Sequence, residues 1–260
     1  MTKTKTIVLV IVAIVFIAAA VVVKLVFFPF VKDTWFTMNT RGLRQVPAGL
    51  VIVRPTHFPG STRKGVFYDY TQRNSRRMMG RDVTFKDLMA VAYSQPAALV
   101  ALPSDPPKNN FDFLVTAPGN QQQLLQNAIR KKLGYTAQME MRDADVLALK
   151  VEDPDSPGLK ISPDSEKPNA DVKNGRLYFT HQRLAMITGG LEQMLQTPVV
   201  DKTDSTNFYD FSLPWDAQMQ QALQNHTLDQ ATGEKILADW GLGLEPDTAS
   251  LEMLVVKKAN

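Results

Sequence analysis

Apolar positions along this chain follow two rhythms, and both rhythms occur in each half. Phe85, Leu88, Met89, Ala92 and Tyr93 recur at the i, i+3, i+4, i+7, i+8 spacing of one helix face, with Thr84 placed to cap it. Residues 120–133 repeat the helical rhythm and end at Gly134, a left-handed cap position. Leu184, Ile187, Leu191 and Leu195 mark a third helix over 181–195, and residues 228–240 a fourth, closed by Gly241. Short apolar or alternating runs predict strands at 49–54, 111–116, 176–180, 208–213 and 251–257. Residues 135–141 and 145–151 read as two alternating strands joined by a tight turn at 142–144. Residues 152–174 are rich in Asp, Pro, Ser and Lys and read as a linker.

The two halves align as a duplication. Phe111-Asp112-Phe113 corresponds to Tyr209-Asp210-Phe211, Lys132-Leu133-Gly134 to Asp239-Trp240-Gly241, and Ala148-Leu149-Lys150 to Val255-Val256-Lys257. The step from Phe85 to Asp112 is 27 residues, and from Leu184 to Asp210 it is 26.

The amino-terminal rhythm is different. Residues 7–23 are uncharged, and residues 25–31 past Lys24 are apolar again, with Pro29 bending or ending the helix. A helix of that length spans about 25 Å, and a lysine near its end can snorkel, so a membrane span over 1–31 is expected. A cleaved signal peptide would use Ala18, Ala19 and Ala20. The uncleaved anchor is preferred because no breaker precedes that site and an apolar run follows it. The expected fold class is therefore α+β: an N-terminal transmembrane helix over 1–31, then two tandem α+β repeats with antiparallel or mixed sheets. The first repeat would cover 45–151 and the second 175–260. The expected place is the inner membrane, single pass, with the C-terminal domain extracytoplasmic, in the periplasm.

Composition removes several chemistries. There is no cysteine, which excludes disulfides, thiolate metal sites and a cysteine nucleophile. The three histidines, His57, His181 and His226, form no metal-binding spacing, so no metal and no cofactor are expected. Gly189-Gly190 lacks the spacing of a phosphate loop and reads as a loop or helix kink, and no serine lies in a nucleophile elbow. The net charge of +3 hides a gradient. Residues 24–81 hold 11 basic and 2 acidic side chains, whereas 201–260 hold 4 and 10. Arg63, Lys64, Arg73, Arg76, Arg77 and Arg81 form a candidate patch for an anionic polymer, headgroup or acidic protein face. Nucleic acid is not the expected partner of an exported domain. The opposed ends also suggest self-association.

Residues 198–211 carry a more specific likeness. Pro198, Val199, Asp201, Lys202, Thr203, Tyr209, Asp210 and Phe211, followed by Leu242, Gly243, Leu244, Val255 and Val256, resemble the motif of the soil-associated protein family, a bacterial envelope domain of unknown function. Leu88 to Tyr93 is similar to that family's LxxxAY signature. Asp204 and Asn207 stand where the family has glycine, and both residue types tolerate left-handed backbone. Residues 124–151 also resemble the short amino-terminal domains of secretins and outer-membrane receptors. The family resemblance implies an accessory or binding role and no assigned activity.

The reading is a membrane-anchored extracytoplasmic module that binds rather than catalyses. One alternative is a hydrolase or transferase on an envelope polymer, using Asp112, Asp201 or Asp210. Another is an exported sensor module. Asp201 and Thr203 alone read as a turn that bonds its own backbone.

Overall fold

The computed structural model describes residues 33–69, 77–217, 219–220 and 230–259. In chain order the elements are α1 (Thr40–Gln45), β1 (Val51–Pro55), β2 (Gly65–Asp69), β3 (Arg77–Val83), α2 (Phe85–Tyr93), β4 (Val100–Ala101), β5 (Phe111–Val115), α3 (Gln121–Leu133) and β6 (Tyr135–Val151). They continue as β7 (Lys160–Ile161), β8 (Asn169–Lys173), β9 (Arg176–Gln182), α4 (Leu184–Leu195), β10 (Val199–Asp201), β11 (Tyr209–Pro214), α5 (Gln230–Asp239) and β12 (Leu242–Lys258).

The local rules are met at the helix ends. Thr84 Oγ1 accepts the Asp87 amide at 3.1 Å, and Asn120 accepts that of Gln123 at 3.1 Å. Gly134 and Gly241 take left-handed conformations with φ of 74° and 70°.

Two compact units form. Among the described residues, the first consists of those up to Leu88 together with Pro107–Gly134. Its antiparallel sheet has the order β1-β5-β3-β2, and Phe36, Leu43, Val46, Met79 and Leu114 are buried together. The second consists of Met89–Pro106 and the described residues from Tyr135 onward. It holds the antiparallel sheet β7-β11-β9-β8 and the mixed sheet β10-β6-β12-β4. Leu147 and Leu149 of β6 share its core with Leu184, Ile187, Leu191, Phe211, Leu237 and Trp240. Burying one such side chain contributes about 1.5–3 kcal/mol.

The strand orders show a duplication. Adding six to each label of β1-β5-β3-β2 gives β7-β11-β9-β8, and the same shift exchanges β4 with β10 and β6 with β12 in the mixed sheet. The closing strands of the two copies pair with each other, antiparallel, from Tyr135↔Lys258 to Val151↔Leu242.

Several expectations are corrected. The proposed membrane span over 1–31 lies outside the described residues, and among the described residues no helix is long and apolar enough to cross a membrane. The longest of these, α3, has 13 residues and ends in Arg130, Lys131 and Lys132. At 1.5 Å per residue it covers about 20 Å of a core of about 30 Å. A transmembrane helix leading the fold, and a single-pass inner-membrane location, are therefore replaced by an α+β chain with antiparallel and mixed sheets. The copies are not separate tandem bodies either, because β6 belongs to the second unit, where it pairs with β12. The turn expected at 142–144 is absent, since β6 runs unbroken through it. The stretch expected as a linker, 152–174, contains β7 and β8 and is pinned near its start. Glu152 and Asp153 donate their amides to the Gly241 carbonyl at 2.8 and 3.0 Å.

Candidate functional site

The carboxylates nominated from sequence hold the fold. Asp112 is fully buried in β5. It accepts from Thr56 Oγ1 (2.7 Å), the His57 amide (3.0 Å), the Asp82 amide (3.1 Å), and Arg54 Nε and Nη2 (3.3 Å each). Five donors saturate the lone pairs of one carboxylate. Asp210 holds the matching post in β11 and accepts the His181 amide at 2.8 Å. Asp82 and His181 both have positive φ, 53° and 52°, beside shifts in strand register. Each aspartate thus fixes a left-handed, non-glycine residue three positions before a helix.

The rest of the 198–211 motif is also structural. Val199 is buried, and β10 runs parallel to β6. Asp201 Oδ1 accepts the Thr203 amide at 2.9 Å and its hydroxyl at 2.6 Å, the self-bonded turn that was expected. Lys202 pairs with Asp247, which is held below the ordinary carboxylate value first by that ammonium. The Tyr209 hydroxyl lies 2.7 Å from Ser205 Oγ. Phe211 stacks on Phe179 with ring centroids 5.0 Å apart and tilts against Trp240 at 4.8 Å. Asp204 occupies its turn with φ 53°, so aspartate does there what glycine would.

The basic run is partly consumed internally. Arg77 Nη1 donates to the carbonyls of Leu43, Arg44 and Val46 at 2.9, 3.2 and 2.7 Å, around the end of α1. Arg81 donates to the Phe36 carbonyl at 3.1 Å and lies 3.8 Å over the Phe58 ring. Arg63 and Lys64 are exposed, and Arg73 and Arg76 lie outside the described residues. His57 Nδ1 sits 3.0 Å from Asp33, which also pairs with Arg54, and so ties residue 33 to β1. Among the described residues no group of three His, Asp or Glu side chains converges as a metal site would require.

The second unit contains a cavity of about 500 Å³ between the β9–β11 face, α4 and α5. Leu177, Phe179, Phe211, Leu213 and Trp215 line one side. Met186, Ile187, Gly190, Leu191 and Met194 of α4 line another, and Gly233, Ile236, Leu237 and Trp240 a third. No Asp, Glu, Lys, Arg or His belongs to the described lining. The Trp240 indole N–H is already donated to the Ser212 carbonyl at 3.1 Å. In the matching region of the first copy Leu88, Phe113, Leu125 and Ile129 are fully buried. Phe113 lies so close over Gly80 that a Cβ there would meet its ring at 2.0 Å. In the second copy the position matching Gly80 is Phe179.

Sequence reading missed this cavity. Its one visible signal is Gly189-Gly190, which lies within α4 rather than in a loop. Two glycines flanked by methionines inside an apolar helix mark thin packing.

Comparison with known proteins gives one family. The family described as Protein of unknown function (DUF3738) matches residues 86–259. No curated protein and no solved structure matches the chain.

Proposed function

We propose, from the premise that this chain belongs to the DUF3738 family of proteins of unknown function, that it is a non-catalytic binding module which takes an apolar ligand in the cavity of its second unit. The carrying observation is the cavity of about 500 Å³, whose described lining holds no charged side chain, where the matching residues of the first copy are fully buried. That volume falls in the range of small-molecule sites, roughly 300–1,000 Å³.

Binding suits the residues better than catalysis. General acid–base work needs carboxylates aimed at one cleft, and Asp112, Asp201 and Asp210 accept from their own neighbours while none lines the cavity. The reading rests on the cavity rather than on the basic run, because Arg77 and Arg81 already serve backbone carbonyls. The narrower kinship, with soil-associated envelope domains, belongs to the same proposal and is supported by the motif from Pro198 to Phe211.

Methyl-¹³C methionine NMR of the full chain, titrated with 1-decanol and separately with 1-adamantanemethanol, tests the reading. At least one probe should move the Met186 and Met194 methyls saturably, and Gly190→Phe, which fills the cavity, should abolish the shift. If neither probe moves them, or if Gly190→Phe leaves the shifts intact, the reading is overturned.

A further inference from the structure

The Gly189–Gly190 pair is not explained by the fold. Both residues lie in the middle of α4 in ordinary helical conformation. A Cβ built on Gly189 would meet nothing within 4 Å, and one on Gly190 only Met194 Cε at 4.0 Å. Neither strain nor close packing therefore calls for glycine, and each costs about 1 kcal/mol against alanine in a helix. The matching positions of the first copy are Ala90 and Val91.

The pair shapes the cavity. Met186, Gly190 and Met194 are spaced i, i+4, i+8, so they form one ridge of α4 with a gap at its centre. Met186 and Gly189 are exposed, whereas Ile187 and Leu191 are buried, so this ridge lies between solvent and the floor of the cavity. The gap is one residue wide and flanked by unbranched thioethers, which yield to a flexible guest. Below it Phe179 and Phe211 are stacked, Trp240 is tilted against Phe211, and the Trp240 donor is engaged.

We infer that the cavity takes a single unbranched, uncharged aliphatic chain of roughly ten carbons, which enters through the gap at Gly190. This deepens the binding reading above and rests on it. A slim chain passes the gap and buries its methylenes against Phe179 and Phe211. A cage-shaped hydrocarbon of the same carbon count is too wide for the gap. A charged head inside would find no partner in the described lining.

The dissociation constants of 1-decanol, decanoate and 1-adamantanemethanol, read from the same methionine methyl shifts, test the inference. Decanol should bind about tenfold more tightly than the adamantane alcohol, the discrimination a shaped apolar pocket provides. Decanoate should bind with its carboxylate outside, losing affinity when the chain is shortened but not when salt is raised. Gly190→Ala, which favours the helix, should keep or raise the melting temperature while slowing decanol association severalfold, read from the exchange broadening of the same methyls. Saturable binding of the adamantane alcohol as tight as decanol would sink the chain-shaped site but leave the cavity reading standing. An unchanged decanol association rate in Gly190→Ala would sink the gap as the entrance. Silence from every probe would remove both.

Discussion

Asp210 in β11 accepts the backbone amide of His181 at 2.8 Å and holds that residue at φ 52° beside a break in strand register. A left-handed conformation costs a non-glycine residue roughly 1–2 kcal/mol, so an acceptor at fixed distance is what makes it tolerable. Asp112 does the same for Asp82. The aromatic-Asp-aromatic signature of the two halves is therefore a clamp on the strand-to-helix corner.

Asp210→Ala should destabilise the protein by about 1.5–3 kcal/mol, the worth of a hydrogen bond to a charged group. Asp210→Asn keeps Oδ1 and should lose under ~1 kcal/mol. Urea denaturation gives the energies, and amide exchange at His181 should quicken only in the alanine variant. Equal losses in both variants would refute the clamp.

Asp112→Ala should cost more, about 3–5 kcal/mol, because it removes the acceptor shared by the largely buried Arg54, the Thr56 hydroxyl and the His57 and Asp82 amides. The same titration compares the two sites directly. A milder effect at Asp112 than at Asp210 would contradict its five-donor network.

Much of this architecture was legible from sequence, for a physical reason in each case. Helices α2 and α3 were visible because Leu88, Met89, Leu125 and Ile129 are buried on one face and caps stand at the ends. The duplication was visible because Asp112 and Asp210, and Gly134 and Gly241, do the same work in each copy. Strand β6 was misread because its middle, Glu140 to Asp145, has no buried residue, so the two-residue alternation fades and Arg142–Asp143 imitates a turn. Pairing with β12 keeps it extended, a long-range cause with no local trace. Strand β3 hid among arginines whose partners, such as the Val46 carbonyl for Arg77, are distant in sequence. The cavity left only the Gly189-Gly190 pair as a trace in the sequence, because empty volume is a property of packing.

The left-handed glycines should respond unequally. Gly134→Ala meets no atom and bears only its backbone cost, about 1–2 kcal/mol. Gly241→Ala would place its Cβ 2.1 Å from the Asp153 carbonyl oxygen, in the segment that donates two amides to Gly241. It should lose about 3 kcal/mol or more, since backbone rather than a flexible side chain must move. Thermal melts of the two variants decide, and matching losses would mean that segment 152–158 is not pinned.

The ribbon of β6 and β12 carries an acid-sensitive contact. Glu140 is held down to about 2, first by Lys257, then by Gln138 and Arg142. A carboxyl depressed in the fold adds stability that is present above its unfolded value, near 4.3, and is lost as pH falls toward 2. The Glu140 carboxyl carbon should titrate near 2 by NMR, and Lys257→Met should move the midpoint up. Solvent screening at the surface of the ribbon keeps the energetic consequence small. A midpoint unchanged by Lys257→Met would show that the pair does not persist in solution.

Glu192 should behave in the opposite sense. Burial on α4 pushes its carboxyl above the ordinary value, against the opposing pull of the Val199 amide, which donates to it at 3.1 Å. The charged form is thus disfavoured by folding, and the stability linked to its proton is lost as pH rises through the raised value. Glu192→Gln keeps an oxygen for Val199 and removes the charge. It should melt at or above the wild-type temperature at pH 7 and match it at pH 3, where the wild-type carboxyl is itself protonated. Because this bond joins α4 to β10 beside the Pro198–Asp201 motif, a lower melting point at pH 7 would mean that the ionised carboxylate, rather than the hydrogen bond alone, holds the helix to the strand.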